Sequence, residues 1–301
     1  MGSSIEWKSY NRNLITRGQI TFWFSAEALA GWIAPVTQKR GGQTFYSDIA
    51  IEVLSIIRFR YGLTLRETQG FAESLLGLMG AALPVPHYTT LCRRLGKLAV
   101  QLKAKLSTNG PKHIVVDSTG LKVYGEGEWK VRQHGYSKRR TWLKLHLAID
   151  SANNQILTSV LTTNDFKDNQ LISDLIDKIP GEIEQVSADG AYDSKNCYDK
   201  AKERSFFPAI PPRRGAKIHT HGNSLGPKDL RDENIRGVRN LGRKSWKKSV
   251  NYHQRSLAET AMYRFKAIFG EKVSSRDFNR QAVETFLKCS MLNKMKTPKY
   301  M

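Results

Sequence analysis

Cysteine is scarce: Cys92, Cys197 and Cys289 lie far apart, without a CxxC pair and in odd number. That excludes a disulfide framework or a zinc ribbon and points to a reducing compartment. No apolar run is fit to span a bilayer. The one long uncharged stretch, 74–92, contains Pro84, Pro86, His87, Tyr88, Thr89 and Thr90. The opening MGSSIEWKSYNRN is polar and lacks the apolar centre of a secretion signal. A soluble, cytoplasmic protein is expected. There is no GxxxxGK[ST] phosphate loop, so no nucleotide energy source is expected.

Acidic residues are the other shortage. Forty-eight Lys and Arg face 27 Asp and Glu, a net charge of +21, which points to a polyanionic partner, nucleic acid before membrane. The excess is uneven. Residues 1–110 carry +7, 211–250 carry +8 and 251–301 carry +6, whereas 111–210 balance 14 basic against 14 acidic groups. A carboxylate-dependent centre flanked by DNA-gripping surfaces produces such a distribution. At 301 residues, 40% apolar and 25% charged, the chain is long enough for two domains and is not globally disordered.

Periodicity divides it accordingly. Residues 47–61 read as an amphipathic helix capped by Ser47 and ended by Gly62. Thr64-x-x-Glu67 is a capping box opening a second helix toward Met79. Past Pro84 and Pro86, a third runs from about His87 to Lys105 and carries Arg93 and Arg94. Three helices with a basic last one suggest a helix-turn-helix-like DNA-binding region over 1–110. A plain packing domain is the bland alternative.

From residue 112 the period changes. Strands are expected at 113–116, ending at Asp117, at 143–149, 155–161, 183–188 (ending at Asp189) and 206–210. Helices are expected at 168–179, with Asp168 as cap, and at 194–204, with Asp193 as a cap rather than a metal ligand. The result is an α/β fold with a mixed sheet. Residues 211–250 read as a basic insertion with little regular structure, followed by helices over 251–269 and 276–295.

Three acids stand where a metal site needs them. Asp117 and Asp189 end strands and Glu259 lies on a helix. Carboxylates so placed can hold two Mg2+ ions, or Mn2+, about 3.5–4 Å apart for phosphoryl transfer. Tyr252, Arg255, Glu259 and Lys266 follow a Y-x2-R-x3-E-x6-K spacing. On one continuous helix all four fall within about 60° of one face. An acid flanked by two cations and a phenol suits a metal carboxylate beside phosphate contacts. A solvated salt-bridged face is the alternative. His219-x-His221 lacks a third ligand at a fitting interval.

The Y-R-E-K helix, the VVDSTGLKVYG strand and the ADGAYDS strand end resemble those of bacterial insertion-sequence DDE transposases, most closely the insertion-sequence-five group. The resemblance spans roughly residues 45–295. It implies an RNase H-like catalytic domain over 111–301, with Asp117, Asp189 and Glu259 as the metal triad. It implies Tyr252, Arg255 and Lys266 as contacts to transposon-end phosphates. Arg93 and Arg94, and Arg243, Lys244, Lys247 and Lys248 of the basic insertion, are further expected DNA contacts. The implied partners are terminal inverted repeats and target DNA, bound by a homodimer or higher oligomer in the bacterial cytoplasm at the nucleoid. The rival readings are a regulator that binds DNA without chemistry and a metal-dependent nuclease on the same fold. Trp246 is expected either to stack on an unpaired base or to anchor a core.

Overall fold

The computed structural model describes residues 7–19, 23–37, 40–98, 102, 112–123, 142–219 and 229–296. In chain order the elements are α1 (Trp7–Thr16), α2 (Ala26–Ala30), α3 (Asp48–Tyr61), α4 (Leu65–Leu78), α5 (Tyr88–Leu95), β1 (Lys112–Val123), β2 (Trp142–Asp150), β3 (Ile156–Thr163), α6 (Ile172–Ile176), β4 (Ile183–Ser187), α7 (Lys195–Glu203), β5 (Phe207–Ala209), α8 (Leu230–Leu241), α9 (Arg243–Ser249), α10 (Ser256–Phe269), β6 (Lys272–Val273) and α11 (Phe278–Lys296). Two compact units divide the chain, Met1–Gln101 with Asp277–Met301, and Leu102–Arg276.

The first unit is helical, and its boundaries follow local chemistry. The Ser47 hydroxyl accepts from the Ala50 amide at the start of α3, and Gly62, at φ 67°, ends that helix in the left-handed region. The capping box forms: Glu67 Oε2 accepts from the Thr64 amide at 2.7 Å, and Thr64 Oγ1 accepts from the Glu67 amide. Helix α5 stops at Leu95, short of the expected Lys105, and Lys103 and Lys105 lie outside the described residues. Helix α3 buries Ile51, Val53, Leu54, Ile56, Ile57 and Phe59, too much apolar surface for one neighbour to cover. Helix α11 packs on it, burying Leu287, Met291 and Met295. The compact units thus divide the chain differently from the expected 1–110 and 111–301, with Asp277–Met301 folding with the first unit.

The second unit is built on a sheet of order β3-β2-β1-β4-β5. Strands β1, β2 and β3 are antiparallel, and β4 and β5 run parallel to β1. This mixed order is that of an RNase H-like domain. Strand β1 does not end at Asp117: it continues to Val123, paired throughout with β2 and at its far end with β6. Ile114 and Val116 face a core with α6 and α7, including Ile172, Leu175, Ile176, Cys197 and Ala201. Helix α10 covers β1 and β2 through Ala258, Ala261, Met262 and Phe265.

The basic insertion has regular structure after all. Asp229 accepts from the Arg231 amide and starts α8. The buried Asn234 amide donates to Pro208 O of β5 at 2.7 Å, and Ile235 is buried. Trp246 of α9 is 3% exposed, so it is a core anchor rather than a base-stacking platform. It lies over Gly237, where an added Cβ would sit 2.7 Å from Trp246 Cδ1. Asp193 is not the cap, a position that Ser194 takes. The Asp193 carboxylate is fully buried, accepts from Arg231 Nε at 2.9 Å and from the Arg213 amide at 3.0 Å, and so ties the insertion to the sheet. Asp168 does not cap its helix either: Lys167 precedes a 3-10 turn, Asp168–Leu171, that leads into α6.

Candidate active site

Asp117 and Asp189 are brought together by strand register. Val115 of β1 pairs with Ser187 of β4, and two further residues along each chain stand the two acids. Side chains alternate along a strand, so Asp117 points away from the Ile114–Val116 core, and Asp189, just past the end of β4, is near enough for its charge to act on it. Asp189 turns its carboxylate onto the Ala191 amide at 2.9 Å, capping the 3-10 turn Gly190–Tyr192. Asp117 accepts from the Ser118 amide at 2.9 Å.

Glu259 arrives on the first turn of α10. The helix is not continuous from Asn251 as the spacing suggests. Asn251 takes a left-handed conformation, φ 50°, and Tyr252–Arg255 form a 3-10 turn before α10 starts at Ser256. Arg255 nevertheless reaches both acids. Its Nη1 donates to Asp117 Oδ2 at 2.7 Å, and its Nη2 donates to Glu259 Oε1.

The charges are coupled. Burial pushes the Asp117 carboxyl above the usual range. The Ser118 amide and Arg255 oppose that rise, while Asp189 and Glu259 add to it. Burial also raises the Tyr252 phenol; Arg255 opposes this and the three carboxylates reinforce it. Burial acts to lower Arg255, but the Asp117, Tyr252, Glu259 and Asp189 charges outweigh it, so the guanidinium is held above its ordinary value.

The other expected contacts are more dispersed. Lys266 lies partly buried on α10 about two turns beyond Glu259 and makes no ion pair among the described residues. Lys247 stacks its ammonium over the Tyr252 ring at 4.8 Å. Arg243 donates to Pro212 O at 2.5 Å, while Lys244 and Lys248 are exposed on α9. In the first unit Arg93 is exposed, whereas Arg94 pairs with Asp48 at 2.5 Å and donates to Tyr46 O at 3.0 Å. The His219 amide donates to Asp232, and His221 lies outside the described residues.

Sequence reasoning missed several neighbours. Asp168 accepts from Ser118 Oγ at 2.9 Å and from Lys144 Nζ at 3.2 Å. The Tyr192 hydroxyl is buried without a hydrogen-bond partner among the described residues. Burial, followed by the charges of Asp168, Asp117 and Asp189, drives its pKa well above the usual value. The polar Lys144 and His146 among the apolar residues 142–149 of β2 were the available signal.

No group of three His, Cys, Asp or Glu converges as a metal shell among the described residues. Arg255 instead neutralises Asp117 and Glu259. The donor set still fits a hard divalent cation. It consists of carboxylate oxygens without thiol or imidazole, and one of them, Asp117, is partly desolvated.

An RNase H-like sheet with juxtaposed acids and a third acid on a covering helix belongs to the class of nucleic-acid phosphoryl-transfer enzymes. A family model described as the transposase DDE domain matches residues 108–294, and a second of the same description matches 15–126. The chain belongs to the DDE transposase family, whose members use divalent metal ions. It is an enzyme of DNA cleavage and strand transfer.

Distant structural likenesses include a piggyBac transposase synaptic complex with hairpin DNA (10% identity, TM-score 0.42, 94% of this chain and 73% of that one). Another is a Drosophila P element transposase strand transfer complex (12%, 0.31, 59% and 41%). A third is a pre-cleavage Mos1 transpososome (9%, 0.22, 89% and 84%). Among the described residues, no helix is long and apolar enough to cross a membrane.

Proposed function

We propose that this chain is the transposase of a bacterial insertion sequence of the insertion-sequence-five group. It cuts at the terminal inverted repeats of its own element and joins the freed 3′-hydroxyls to target DNA. The observation that supports this most is the strand register bringing Asp117 beside Asp189, with Glu259 joined to Asp117 through Arg255. In this reading the three carboxylates are the catalytic metal ligands. Two Mg2+ ions, or Mn2+, would supply Lewis-acid activation and charge neutralisation at the scissile phosphate.

The chain's own groups orient the DNA. Arg255 and Lys266 hold non-bridging phosphate oxygens, and the Tyr252 hydroxyl donates to a third. In the first step, water attacks phosphorus and the 3′ oxygen leaves with a proton. In the second, that 3′-hydroxyl attacks a target phosphodiester, whose own 3′ oxygen departs. One P–O bond forms for each broken, so no external energy is consumed. The 1–110 region reads the repeat, with the exposed Arg93 of α5 toward bases beside Arg94, which Asp48 holds, and the exposed Lys244 and Lys248 grip the backbone next to Arg243 and Lys247. A homodimer or higher oligomer assembles on DNA at the bacterial nucleoid.

The test is direct. Asp117→Asn, Asp189→Asn and Glu259→Gln should each abolish cleavage and joining of an end oligonucleotide. End-DNA affinity should stay within a few fold, because binding depends on the basic surfaces. Strand transfer retained by any variant would remove that residue from the triad.

A further inference from the structure

The segment that delivers Arg255 and Glu259 is anchored at its first joint by residues outside the three family motifs. Val250 closes α9, so its carbonyl is one of the acceptors that a helix end leaves without an internal partner. Gln185 of β4 supplies the donor, its Nε2 lying 2.7 Å from Val250 O. The next residue, Asn251, turns left-handed, and Tyr252–Arg255 follow immediately. The chain thus has one fixed point, one sharp turn, and then the groups that meet Asp117.

Gln185 is itself held. Its Nε2 lies 3.1 Å from Ser187 Oγ and 3.2 Å from His113 Nε2, and those two atoms are 2.8 Å apart. Burial, the largest effect at His113, lowers its pKa against the opposing charges of Glu184 and Asp150, with His253 adding to the fall. The His113 Nε2 faces the Ser187 hydroxyl and the Gln185 amide, either of which can donate a hydrogen bond to it. The register gives the placement its meaning. His113 pairs with Gln185, and four residues further along come Asp117, on the same face of β1, and Asp189, just past the end of β4.

We infer that Gln185, oriented by His113 and Ser187, is a positioning residue for the transposition reaction. It pins the Val250 carbonyl and so sets where the Tyr252–Arg255 turn and Glu259 meet Asp117 and Asp189. The inference rests on the triad reading above. It assigns Gln185 no contact with DNA or metal.

The test uses the full chain. Gln185→Leu removes the donor at similar size, and Gln185→Glu keeps the shape but turns an acceptor toward the Val250 carbonyl. Both should speed amide exchange across residues 251–256 by about tenfold or more, with exchange in β2 unchanged. The turnover number for end cleavage should drop by a similar factor while the KM for end DNA stays within about threefold. Mn2+ affinity, measured by titration without DNA, should weaken in Gln185→Leu. On a Glu259→Gln background that weakening should largely vanish, since the two changes act through one geometry. Unchanged exchange at 251–256, or full additivity with Glu259→Gln, would overturn the inference. If Glu259→Gln alone altered neither cleavage nor Mn2+ affinity, the triad reading would fail instead, and the exchange data would still decide whether Gln185 anchors the turn.

Discussion

Arg255 Nη1 lies 2.7 Å from Asp117 Oδ2, and the same guanidinium donates to Glu259. Two proposed metal ligands therefore already have a cation. A divalent ion and Arg255 compete for these oxygens, whereas a DNA phosphate offers Arg255 another partner. Metal and DNA should bind with positive coupling, each easing the other's entry.

Arg255→Ala follows from that competition. In the absence of DNA, this variant should bind Mn2+ about tenfold more tightly than the wild type at pH 8, equivalent to ~1.4 kcal/mol. End DNA should tighten Mn2+ binding in the wild type and do so less in the variant. Calorimetric titration reads both. Weaker Mn2+ binding by Arg255→Ala would show that the guanidinium supports the carboxylates rather than competing for them.

The pH dependence has a definite sign. Asp117 is held above the ordinary carboxylate range, first by burial. A group whose folded pKa is raised adds stability below its unfolded pKa, and that stability is lost as pH rises through the folded value. The metal-free protein should therefore lose stability as Asp117 ionises, and Asp117→Asn should lack that part of the slope. Catalysis needs the ionised form, so cleavage should fall with pH over the same window in which stability recovers. Melting temperatures and cleavage rates over one pH series check both arms. A wild type and variant with superimposable melting profiles would contradict it.

Local chemistry was legible where its partners lay within a few residues. Ser47, Gly62 and the Thr64–Glu67 box fixed helix ends without help from the rest of the chain. Asp117 and Asp189 could be singled out as expected strand ends, and Glu259 by the Y-x2-R-x3-E-x6-K spacing together with the family resemblance. What was hidden depended on distant partners. Strand β1 continues to Val123 because β2 and β6 pair with it. Helix α11 belongs with α3 because α3 has a second face to cover. The order within 211–250 came from Asp193, Asn234 and Trp246 finding buried partners, which an average over charge and apolar content cannot register.

Gly237 tests that last point. A methyl group there would approach Trp246 Cδ1 to 2.7 Å beside a buried ring. Gly237→Ala should destabilise the chain by ~1–3 kcal/mol, the usual range for overpacking. Adding Trp246→Phe should recover part of the loss, since a smaller ring leaves room for the methyl. Chemical denaturation of the single and double variants measures it. A fully stable Gly237→Ala protein would mean that α9 does not dock on α8 through this pair.

The basic helix α9 allows the cations to be separated. Arg243 is engaged with Pro212 O, and Lys247 lies over the Tyr252 ring, whereas Lys244 and Lys248 are exposed and one helical turn apart. Residues at i and i+4 share a face, so these two present adjacent charges to solvent. Each DNA phosphate left without its lysine should reduce the slope of log affinity against log salt by ~0.9. Lys244→Gln/Lys248→Gln should therefore lower the slope by up to ~1.8, with little change in melting temperature or in the cleavage rate of saturated DNA. Lys247→Gln should act differently, by freeing the Tyr252 ring, and should slow cleavage more than it weakens binding. Salt-dependent binding to an end duplex, beside single-turnover cleavage, separates the two effects. An unchanged slope in the double variant would remove this face of α9 from the DNA path and leave the helix as a support for the catalytic turn.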